Sequence, residues 1–72
     1  MNGRELEFSV FCIENVAEKL GIEGKQAYRM LAVESDILDS YIIKNYEVLH
    51  TQGKSYIVRD IIDCMKEQGV IE

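Results

Sequence analysis

The sequence has no proline and no tryptophan, one histidine and two cysteines. Without proline, no helix is stopped by a missing amide, so each must end on glycine, on a capping side chain or on packing. One histidine and two distant cysteines make neither a zinc knuckle nor a paired-thiol redox motif, so no metal and no cofactor are expected. A disulfide between Cys12 and Cys64 stays open. The simpler expectation is two small apolar core residues with free thiols. Nucleophilic catalysis would need His50 beside an activated Cys or Ser and an orienting acid. Both cysteines fall in helical apolar patterns, and the chain is expected not to be an enzyme.

Runs of basic residues are also missing. The formal net charge is −5, and the eight cations are scattered along the chain. Nucleic-acid binding draws on clustered Lys and Arg that neutralise phosphates, so a nucleic-acid partner is not expected. No apolar stretch is long enough to span a membrane, and "FSVFCI" is too short for a signal core. A cytoplasmic chain with no membrane contact is expected.

What is present describes a folded domain. The chain has 72 residues, 47% hydrophobic and 29% charged, too apolar for disorder and small enough for its core to be marginal. It is read as a single domain over residues 1–72. No period-2 alternation is sustained, so the predicted class is all-α, a compact four-helix domain. Helix 1 is predicted from about Glu5 to Leu20, with Leu6, Val10, Ile13, Val16, Ala17 and Leu20 inward and Cys12 at the margin. Helix 2 is predicted from about Gly24 to Val33. Helix 3 follows Ser35, an N-cap, to about Asn45, with Ile43 off its apolar arc. Helix 4 is predicted from about Gln52 to Gln68, with Thr51 as N-cap and Gly53 in the first turn. Beyond Gly69 the chain is expected to trail off.

Two features invite a functional reading. The stretch Val16 to Leu31, "VAEKLGIEGKQAYRML", spaces Ala17, Gly21, Ile22, Ala27 and Met30 like a helix-turn-helix corner. Any tight helical corner needs the same residues. If it bound DNA, Lys25, Gln26 and Arg29 would meet the major groove. Phe8 and Phe11 lie off the apolar stripe of helix 1. Either they form a contact surface, or helix 4 or the "YEVLH" segment covers them. In "NYEVLHTQGKSY", structural duties absorb all but His50 and Gln52. His50 itself is expected to bond a backbone group.

Together, "LEFSVFCIENVAEKLGIEGKQAYRML" and "YIIKNYEVLHTQGKSYIVRDI" resemble a short bacterial family known only as a domain of unknown function, found mainly in anaerobic gut Firmicutes. The resemblance runs from about Leu6 to Ile62, and "YEVLHTQGKSYIVRDI" is its most specific part. It implies an all-helical fold. It also implies genes set beside small toxin–antitoxin-like ones, including ADP-ribosyltransferase-like ones, and hence a partner-binding role. It carries no catalytic residues. The expected function is a non-enzymatic protein-interaction module, accessory or antitoxin-like, that binds a protein partner or self-associates. Phe8, Phe11, His50 and Gln52 are its candidate contacts. A small helix-turn-helix DNA-binding regulator is the alternative.

Overall fold

The computed structural model describes all residues from Met1 to Glu72. Four α-helices and one π-helix follow in order, with no strand: α1 (Gly3–Leu20), α2 (Gly24–Ala32), the π-helix (Leu38–Ile43), α3 (Tyr46–Leu49) and α4 (Lys54–Glu67). The all-α class is as the sequence indicated, with one short helix more than the four predicted.

Helix α1 starts earlier than the apolar pattern suggested, because Asn2 and Glu5 form a capping box. The Glu5 amide donates to Asn2 Oδ1 at 2.8 Å, and the Asn2 amide donates to Glu5 Oε1 at 3.0 Å. Gly21 ends the helix in the left-handed region, φ 71°, where a side chain would strain the backbone. Beyond the corner α2 packs against α1, with Ala17 and Ala27 both buried.

The inward face of α1 differs from the predicted stripe. Ser9, Cys12, Val16 and Ala17 are buried, whereas Leu6 and Val10 are about half exposed. Cys12 sits at the centre of that face, not its margin. A serine can occupy it because its hydroxyl donates to the Glu5 carbonyl at 2.7 Å, so burial leaves no polar group unpaired.

The third predicted helix is wound differently. Over Leu38–Ile43 the turns widen to a π-helix. In an α-helix Ile43 would point about 140° away from Leu38, at about 100° per residue. The wider π winding narrows that angle, and Ile43, half-buried, packs against the core with Leu38 and Ile42. Ser35 ties this segment to α2: its hydroxyl donates to the Met30 carbonyl at 2.7 Å and accepts from the Ile37 amide at 3.3 Å.

Helix α4 begins at Lys54, with Gly53 as its N-cap and no side-chain cap. Thr51 is therefore not the cap; its hydroxyl donates to the Val48 carbonyl at 2.7 Å. Gly53 stands at the cap position, not in the first turn, and an added Cβ there would meet nothing within 4 Å. At the other end, Gly69 turns the chain with φ 73°, and the Val70 amide bonds the Met65 carbonyl at 2.9 Å. Val70 and Ile71 then pack on the core instead of trailing off.

Leu31, Ile37, Ile42, Ile57, Ile61 and Met65 are the largest fully buried side chains. The Cα radius of gyration is 10.9 Å, against about 11 Å for a folded chain of this length. No helix is long and apolar enough to cross a membrane.

Candidate functional site: an aromatic face on the first helix

Two surfaces predicted separately, Phe8/Phe11 and the His50 corner, meet in the structure. Phe8 and Phe11 lie on one side of α1, with ring centroids 6.2 Å apart. Tyr46, on the first turn of α3, meets Phe8 edge-on at 5.4 Å and 76°. His50 stacks on Tyr46, at 4.5 Å and 8°. Four rings thus run in sequence across the α1–α3 junction, at the separations aromatic pairs favour.

Tyr46 of the "YEVLH" segment covers one part of Phe8, and the shared core, to which helix 4 contributes, covers another. The cover is partial. Phe8 is half-buried and packs on the core, while Phe11 stays 39% exposed at the rim. With Arg4 and Glu7, the four rings line a shallow recess of about 380 Å³.

Local sequence fixes the ring order. Tyr46 and His50 are four residues apart and face the same way on a helical turn. His50 Nδ1 lies 2.7 Å from the Tyr46 carbonyl oxygen. A carbonyl only accepts, so Nδ1 carries the hydrogen, and neutral His50 keeps Nε2 as an acceptor. Tyr46 was absent from the sequence-predicted contacts. Its spacing to His50 was the available signal.

Gln52 is exposed and does not line this recess. Lys25, Gln26 and Arg29 are exposed on α2, far along the chain from the aromatic face. Gln26 has a local duty, whereas Lys25 makes only a long, exposed contact. Lys25 Nζ lies 3.9 Å from Glu23 Oε1, the chain's one ion pair. Gln26 Oε1 accepts from the Glu23 amide at 3.0 Å and so caps α2. The Glu14 carboxylate also lies at this end of α2: a Cβ on Gly24 would come 2.8 Å from its Oε1.

A second, larger recess of about 690 Å³ lies between α1 and α4. Four of the eight cations, scattered in sequence, line it together: Lys19, Lys54, Arg59 and Lys66.

Both thiols are free. Burial pushes the Cys12 thiol up to about 12 from 9.0. Burial also raises Cys64, helped by the carboxylates of Asp60, Glu67 and Asp63. Neither has the lowered pKa of a reactive thiolate. No three His, Cys, Asp or Glu side chains converge on a possible metal position.

The family described as "Protein of unknown function (DUF3791)" matches residues 7–68. No curated protein and no solved structure matches the chain.

Proposed function

We propose that this chain, which belongs to the DUF3791 family of proteins of unknown function, is a non-enzymatic cytoplasmic module that binds a protein partner through its aromatic face. The partner is the product of a neighbouring gene, and the module is its accessory or antitoxin-like half. One observation carries the reading. Phe8, Phe11, Tyr46 and His50 form a continuous row of rings that the fold leaves partly open to solvent. Aromatic and arginine side chains dominate binding energy at protein interfaces, because they offer large rigid contact areas. Arg4 lies at the same recess.

Co-expression with the adjacent gene product tests it. Phe11→Ser combined with His50→Ala is the informative variant. Both side chains are exposed, whereas Phe8 and Tyr46 also support the fold. The partner is expected to co-purify with the wild type and to be lost from the variant. Equal recovery by both proteins removes this face. No co-purifying partner contradicts the module itself.

The DNA-binding alternative draws support from the corner at Gly21, whose backbone has the sharp turn such a motif needs. It draws less from α2, where Gln26 is engaged in capping the helix and Glu23 stands beside Lys25. Its test is duplex binding at low salt, weakened by Lys25→Ala and Arg29→Ala.

A further inference from the structure

We infer that the groove between α1 and α4 binds acidic side chains of the partner, so that the bound segment is an acidic one with an apolar anchor. This rests on the protein-binding reading and adds the chemistry of the partner.

The charges come first. Lys19 on α1 and Lys54, Arg59 and Lys66 on α4 face one groove with only Glu18 and Asp63 among them. The lining is therefore net positive in a chain of formal charge −5. None of these four cations has a carboxylate within ion-pair distance; the chain's one ion pair is Lys25 with Glu23. Four cations against two carboxylates leave the groove a positive potential that draws an incoming carboxylate.

The apolar part comes next. Val58 and Ile62, four residues apart on α4, also line the groove. They sit on one helical face; Val58 is buried in the core, and the half-buried Ile62 is what offers contact to an aliphatic side chain between the charges.

Continuity with the aromatic face is the third point. Asn15 lines the basic groove and Phe11 lines the aromatic recess. They are one helical turn apart, and the Asn15 amide donates to the Phe11 carbonyl at 2.7 Å. At about 100° per residue, Phe8, Phe11, Asn15 and Lys19 all fall within one side of α1. From Arg4 to Lys19 the two recesses extend about 22 Å along the helix, at about 1.5 Å per residue. A single extended or helical segment spans both, with its aromatic or aliphatic anchor on the ring row and its acids in the groove.

A short acidic peptide fits this site better than a nucleic acid. Glu18 and Asp63 stand within the groove, and the surface beyond it is acidic. A long regular polyanion would meet repulsion on leaving the groove, whereas a peptide places its carboxylates only where the cations are.

The test is selection from a random peptide library displayed on phage, against the immobilised full chain. Wild type, Arg59→Glu/Lys66→Glu and Phe11→Ser/His50→Ala are run in parallel. Wild type is expected to enrich acidic peptides carrying apolar or aromatic residues. A synthetic copy of an enriched peptide is expected to bind the groove variant about tenfold more weakly or worse, and to weaken as salt is raised. Both variants are checked for native circular dichroism and melting. Neutral or basic enriched peptides overturn the groove inference and leave the aromatic face standing. So does unchanged binding to the groove variant. Enrichment that survives Phe11→Ser/His50→Ala but not Arg59→Glu/Lys66→Glu overturns the aromatic face as anchor. No enrichment on wild type overturns both. Labelled single-stranded and duplex DNA form a further arm: binding that is tighter than the peptides' and lost on charge reversal makes the groove a nucleic-acid site, contrary to the inference.

Discussion

Two glycines show how far local conformation decides the worth of a residue. Gly21 holds φ 71° and Gly53 holds φ −72°. Gly21→Ala forces a side chain into the left-handed region and is expected to destabilise by about 1 kcal/mol. Gly53→Asp should do the reverse. Its backbone suits any residue, nothing crowds its Cβ, and α4 has no side-chain cap. A gain of about 0.5–1 kcal/mol is expected from the cap and the stiffer unfolded chain. Urea titration of both variants checks the opposite signs. Cys12 supplies a pH signature. Its folded pKa of about 12 lies above the 9.0 of the unfolded chain. Its contribution is therefore complete below pH 9.0 and is lost as pH rises toward 12. By about pH 10.5 the loss from this thiol is about 2 kcal/mol. Titrations at neutral and alkaline pH should show a shallower decline for Cys12→Ala than for wild type. Equal declines would mean that the thiol ionises without unfolding.

Among the elements, α1 carries most of what the sequence pattern could not resolve. Leu6 and Val10 drew the predicted stripe to one flank, because periodicity counts apolar letters. It cannot see that a serine becomes suitable for the interior once its hydroxyl bonds the preceding turn. The buried line therefore runs through Ser9 and Cys12. Leu6→Lys should change stability by no more than about 0.5 kcal/mol, while Val16→Ala should cost about 2 kcal/mol. A costly Leu6→Lys would mean that this flank is covered in solution, as by a second copy. The end of α1 and the start of α2 were legible because Gly21 and Gly24 flank the corner directly. The π winding was not, since nothing in "LDSYII" separates a wide turn from a regular one. The short helix α3 was hidden too. Four residues are too few for a periodic signal, and Thr51 looked like a better cap than Gly53. It is α3 that brings Tyr46 and His50 to α1.

For the whole molecule, the class was readable from the helical period of the apolar residues and the missing strand pattern. The site was readable only in pieces. Phe8 and Phe11 stood out as rings off the stripe, and His50 as the lone imidazole, expected to bond a backbone group as it does with the Tyr46 carbonyl. Their meeting depends on how α3 packs across α1, a long-range contact that no local spacing encodes. The same holds for the basic groove: Lys19 and Lys66 are remote in sequence and line one recess in space. A small domain with little interior to spare has left Phe11 39% exposed, although burying it would add apolar contact. Leu6, Tyr28, Val33 and Val48 are more exposed still; what sets Phe11 apart as a binding surface is the row of rings it joins. Amide chemical-shift mapping of the isotope-labelled chain, titrated with its co-purified partner, tests this most directly. Protein binding through the aromatic face gives the largest shifts at residues 4–11 and 46–50, with α2 quiet. Shifts centred on Lys25, Gln26 and Arg29 would contradict it.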